Sequence, residues 1–136
     1  MHLERLLESL AKELKLEAIP QKDKNGFFQL KIHALTPISL KELEPGVFLT
    51  AQIMELPKEG NKEALYIYLM KANLMGQGTG GAAIGIDAHE KYLTFSQTLP
   101  FEVNYKVFHD TLEDFFNFID YWREEIPRYL TKLMQS

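Results

Sequence analysis

The chain has 136 residues, 46% hydrophobic and 25% charged, which is the composition of one ordinary domain with a real core and excludes wholesale disorder. A net charge of −4 with no long Lys/Arg run argues against a nucleic-acid binder, because such affinity comes mostly from neutralised phosphates. The absence of cysteine excludes disulfide scaffolds, zinc–thiolate sites and thiol catalysis.

Glu4 and Glu8 interrupt what would be the apolar region of a signal peptide, and no stretch approaches the ~20 apolar residues of a membrane span. The expectation is a cytoplasmic protein with no membrane insertion. Leu3, Leu6, Leu7, Leu10 and Leu14 recur at helical steps and predict an amphipathic helix over about residues 2–15. Pro20 lies beyond it, and Asp23-Lys24-Asn25-Gly26 reads as a turn.

Phe27–His33 alternates, with Phe28, Leu30 and Ile32 on one side and Gln29, Lys31 and His33 on the other, the pattern of a strand with one buried face. Thr36-Pro37 is expected to break it. Ile38–Leu43 predicts a shorter strand, and Glu44-Pro45-Gly46 a tight turn. Val47–Leu56 is apolar on both sides, so both of its faces need cover, from this chain's helices or from a partner.

After the loop Pro57–Asn61, Asn61 is a candidate N-cap for a helix over about 62–75. Alternation in Leu65-Tyr66-Ile67-Tyr68 also fits a strand, but Lys71–Met75 and the stop at Gly76 favour the helix. Ala82–Asp87 and Lys91–Gln97 form a predicted hairpin around Ala88-His89-Glu90. Finally, Phe108, Leu112, Phe115, Ile119, Trp122, Ile126, Tyr129 and Leu133 trace a long helix, with Asn104 as its cap and Pro127 as a kink or the start of a new piece. The order helix–three strands–helix–two strands–helix makes the class α+β, a single domain (1–136) with helices packed on an antiparallel sheet of about five strands.

Gly76-Gln77-Gly78-Thr79-Gly80-Gly81 satisfies the spelling G-x-G-x-x-G. The dinucleotide fingerprint, however, leaves a strand and opens a helix, so that the positive helix end faces phosphate. Here a helix precedes the glycines and a strand follows, which places the negative end there. No Gly-Lys-Ser/Thr follows either, so the run reads as a helix stop and a site of close backbone approach. His2, His33, His89 and His109 are scattered; His109 and Glu113 share one side of a helix and read as a solvated pair. No serine has a nucleophile-elbow context, and Glu113-Asp114 and Glu124-Glu125 fall on an outer helix side, so no active site assembles. Phe116 and Phe118 do not both fit the side that carries Phe115, which leaves aromatic surface for a partner.

The run Ala72–Asp87, followed by Leu93-Thr94-Phe95-Ser96, Leu99-Pro100 and an acidic-aromatic helix with Trp122-Arg123-Glu124-Glu125, resembles the class I type III secretion chaperones, the Tir-chaperone family. The resemblance spans nearly the whole chain and is densest over 62–126. It implies a homodimer without catalysis, cofactor or ATP hydrolysis, holding a secreted effector as an extended segment, with the export ATPase as a further partner. Carried onto this chain, the dimer surface comprises Leu65, Ile67, Leu69, Leu74, Gly78, Gly80, Ala82, Ile84 and Ile86. The effector-binding candidates are Leu3, Leu7, Phe28, Ile38 and Phe48. Two other readings stand beside this one: an adaptor or regulatory domain on the same fold, and a nucleotide-binding enzyme using the glycine run.

Overall fold

A computed structural model of the chain describes residues 2–33, 36–76 and 78–135; Gln77 in the glycine run and the side chains of Ile32, His33, Thr36 and Met75 lie outside that description. The elements follow the expected order: α1 (His2–Glu13), β1 (Phe27–His33), β2 (Thr36–Leu43), β3 (Gly46–Glu55), α2 (Lys62–Asn73), β4 (Ala83–Ile86), β5 (Tyr92–Leu99) and α3 (Tyr105–Gln135). A short 3-10 turn, Leu74–Gly76, closes α2. The strands form one five-stranded sheet in the order β1-β2-β3-β5-β4. The pairs β1–β2, β2–β3 and β4–β5 are antiparallel. The chain divides into two compact units, Met1–Ala51 with Gln97–Glu113, and Gln52–Ser96 with Asp114–Ser136.

In the first unit, α1 buries Leu3, Leu6, Leu7, Leu10 and Ala11. Its N-terminus is held by β2, where a Glu42 carboxylate oxygen accepts the Leu3 N–H at 2.7 Å. The helix stops short of the expected end. Leu16 N–H donates to Ala11 O at 2.9 Å and Lys15 N–H to Lys12 O at 3.4 Å, with Lys15 at φ 54°. That is a Schellman stop with lysine in the left-handed position that usually takes glycine. Leu14 is therefore left exposed rather than adding to the buried side. Phe28, Leu30, Ile38, Leu40, Val47 and Leu49 form the sheet's share of this core.

Thr36-Pro37 does not separate the strands as expected. Both residues belong to β2, and the β1–β2 register shifts between Leu30 and His33. An irregularity of that kind accommodates a residue lacking an N–H. At the next turn only glycine fits: Gly46 has φ 117°, and a Cβ there would lie 1.9 Å from the Leu99 carbonyl oxygen.

In the second unit, Asn61 caps α2, its side-chain oxygen accepting the Ala64 N–H at 3.0 Å. This removes the ambiguity over residues 65–68: they are helical, with Leu65 and Leu69 buried. The core contains Ile53, Leu93, Phe95, Phe115, Phe116, Ile119, Trp122 and Ile126, with the Phe95 and Phe115 rings 5.1 Å apart. The Arg123 guanidinium ties α3 to the end of β3, donating to Ile53 O at 2.8 Å and Gln52 O at 3.0 Å. Pro127 starts no new piece; α3 continues through it to Gln135. Among the described residues no helix is long and apolar enough to cross a membrane.

Candidate functional site

The glycine run leaves the carbonyl end of α2 and leads into β4. Gly76, Gly80 and Gly81 take φ values of 70°, 64° and 95°, where side chains are strained. Gly78 N–H donates to Ala72 O at 3.0 Å, and a Cβ on Gly78 would stand 3.0 Å from the Ala72 Cβ. A Cβ on Gly80 would stand 2.4 Å from the Phe118 ring. Trp122 Nε1–H donates to Gly78 O at 3.0 Å, and the buried Thr79 hydroxyl donates to Ala82 O. The close approach required by these glycines is thus to α2 and α3 of the same chain. The run packs as a helix stop and offers phosphate only the negative helix end.

Beside this run, α2 is apolar on two sides. Leu65 and Leu69 face the core, whereas Ile67, Met70 and Leu74 are 48%, 72% and 64% exposed. Ile86 of β4 is 45% exposed. Steps of three and four place Ile67, Met70 and Leu74 in one outward stripe. A groove of about 310 Å³ runs along this side, lined by Leu69, Met70, Asn73, Ile84, Ile86 and Leu93. A larger cleft of about 690 Å³ is lined by Tyr68, Lys71, Gly78, Phe118, Tyr121 and Trp122. Of the two aromatic residues singled out as left for a partner, Phe116 is buried and Phe118 is half-buried beside the exposed Tyr121.

Several titratable groups are held by hydrogen bonds within the fold. Tyr68 donates to a Glu125 carboxylate oxygen at 2.6 Å and stacks on Tyr129 with ring centroids 4.0 Å apart. Burial, reinforced by Glu125, pushes its hydroxyl well above the usual tyrosine value. Burial and the hydrogen bond to Glu13 push Tyr105 up to about 12. Asp87 accepts the N–H groups of Tyr92 and Lys91 at 2.9 and 2.7 Å, which holds its carboxyl below the ordinary range and shapes the β4–β5 turn. His109, Asp110 and Glu113 bring potential ligand atoms within 4.8 Å of one another. The carboxylates are exposed, and Asp110 pairs with Lys106 at 2.9 Å.

The profile of the Tir chaperone protein (CesT) family matches residues 5–123. The chain belongs to this family. A Chlamydia pneumoniae protein is similar in sequence, 26% identical over 125 residues that cover 91% of this chain and 95% of that protein. The fold is similar to a chain of the ExsC–ExsE complex, with a TM-score of 0.74 at 17% identity over 90% of this chain and 91% of the other. It is also similar to a chain of the HopA1–SchA chaperone–effector complex, with a TM-score of 0.69 at 16% identity over 90% and 94%.

Within this CesT-family chain the candidate residues divide between the two units. Of the dimer candidates, Ile67, Leu74, Gly80 and Ile86 are exposed, Gly78 is half-buried, and Leu65, Leu69, Ala82 and Ile84 lie in the core. Of the effector-binding candidates, Leu3, Leu7, Phe28 and Ile38 are buried in the first unit and only Phe48 is half-exposed. Two residues escaped the sequence reading, Met70 on the stripe and Asn73, which hydrogen-bonds both backbone groups of Ile84. The step from Ile67 to Leu74 passes through Met70 and was a readable signal. Nothing in the sequence shows where the Asn73 amide points.

Proposed function

We propose that this chain acts in the bacterial cytoplasm as a homodimeric chaperone. It binds an extended N-terminal segment of one or more secreted effectors and keeps them soluble and export-competent without catalysis or ATP hydrolysis. The observation that carries this reading is the family match over residues 5–123. The HopA1–SchA structure, a chaperone–effector complex on this fold, supports it.

The homodimer is assigned to the outward stripe Ile67, Met70 and Leu74 with Ile86, since large apolar side chains left together in water mark an interaction surface. Leu65, Leu69, Ala82 and Ile84 then support that surface from within, while Gly78 lets the glycine run pack on Ala72 of α2 and Gly80 lets it pack on Phe118 of α3. The client is assigned to the surface over α1 and the first unit's strands. There Phe48 keeps exposed area on one face of the sheet, while Phe28 and Ile38 on the other face, with Leu3 and Leu7 of α1, are buried and support the strands from within. An extended client adds main-chain hydrogen bonds and sets alternate side chains into pockets. A disordered segment wraps a large area at low affinity per area, so it is released without hydrolysis when the export ATPase takes it.

Affinity capture of the tagged protein from its native cytoplasm, with bound proteins identified by mass spectrometry, tests this function. A stoichiometric partner that the cell exports, and that is lost when its own N-terminal segment is deleted, is the expected result. Recovery of a regulator that is never exported would replace the chaperone reading with an adaptor.

A further inference from the structure

β4 is the terminal strand of the sheet and pairs with β5. In an antiparallel ladder the N–H and C=O of one residue point to the same side, and successive residues alternate. Asp87 N–H donates to Tyr92 O of β5, so the odd-numbered residues of this stretch face β5, and Ile84 and Ile86 face outward. An outward row of backbone groups is a template for another strand, and natural sheets blunt it by shortness or by cover.

Here α2 reaches that row. Ile84 N–H donates to the Asn73 side-chain oxygen at 2.7 Å, and the Asn73 amide nitrogen donates to Ile84 O at 2.9 Å. One carboxamide thus supplies an acceptor and a donor to one residue, which is what an adjoining strand would supply. Among side chains only the Asn and Gln carboxamides carry both on one planar amide, as a backbone peptide group does. The strand is four residues long, so with Ile84 occupied Ile86 is its one remaining outward position.

We propose that Asn73 closes the free edge of β4 against strand addition, so that a second copy of this chain docks through the apolar stripe of α2 instead of extending the sheet. The second half of this inference rests on the homodimer reading above. Edge closure itself does not.

The test compares the full-length wild type with Asn73→Leu, which is similar in shape and offers no hydrogen bond. Exchange of the Ile84 amide, followed by NMR, should quicken by about tenfold or more while the Phe95 amide in β5 stays protected. Light scattering should show species larger than the wild type that grow with concentration. Unchanged Ile84 exchange together with an unchanged mass would overturn the proposal. Should Asn73→Leu fail to fold, Asn73→Ala, which removes donor and acceptor alike with less bulk at the edge, is read in the same way. Ile67→Asp separates the two readings, since it should give monomers with no larger species. A monomeric wild type would remove the dimer, while growth of the Asn73→Leu protein into larger species would still support a closed edge.

Discussion

At Gly80 two constraints act on one residue: φ is 64°, and a Cβ would meet the Phe118 ring at 2.4 Å. Gly60, at φ 98°, has open space around it. Gly80→Ala should therefore cost about 1–3 kcal/mol in urea unfolding, and clearly more than Gly60→Ala. Equal losses would show that the backbone angle alone matters. Asp87 carries a pH-dependent prediction. Its folded pKa is depressed below 3.8, chiefly by the Tyr92 N–H, so its contribution is present above the unfolded value and lost as pH falls through the folded one. Asp87→Asn should thus lose less thermal stability than the wild type between about pH 5 and about pH 2. Parallel acid profiles would contradict this. At this scale the sequence is a partial guide. The glycine run and its role as a helix stop are legible from the order of elements, but its close approach to Ala72 and Phe118, and the bidentate contact of Asn73 with Ile84, depend on residues that only folding brings together.

Secondary-structure elements are the scale at which the sequence speaks most clearly. Leucine spacing in α1, the Asn61 and Asn104 caps and the aromatic spacing of α3 each reappear as hydrogen bonds or buried side chains. The errors fall at prolines and helix ends. Pro37, read as a break, sits in β2 beside a register shift, and Pro127, read as a kink or the start of a new piece, lies inside a continuous α3. The end of α1 is set by Lys15 at φ 54°, a conformation the local sequence does not advertise because glycine usually occupies it. Lys15→Gly should relieve that angle and stabilise the protein by about 0.5–1 kcal/mol, as measured by denaturant midpoint at constant m-value. A loss of stability would mean that the lysine side chain contributes more to the stop than its backbone costs.

For the whole molecule, element order was legible and neighbour order was not. The chain order places β4 directly before β5, and turn chemistry predicts their hairpin, but nothing local says that β5 lies beside β3 and leaves β4 at the edge. That arrangement is what exposes Ile86 and brings Asn73 to Ile84. The apolar character of α2 on two sides likewise makes sense only at this level, because one side is buried within this chain and the other carries the stripe assigned above to a second copy. The division of labour proposed here gives the stripe to a second copy and the first unit to the client, with no energy source needed beyond binding. Native mass spectrometry of the tagged protein, purified from cells in which the export system is active, tests this most directly. The predicted species contains two copies of this chain and one exported client, and Met70→Asp should leave one copy. A single chain bound to a client, or a dimer that never carries an exported protein, would contradict it.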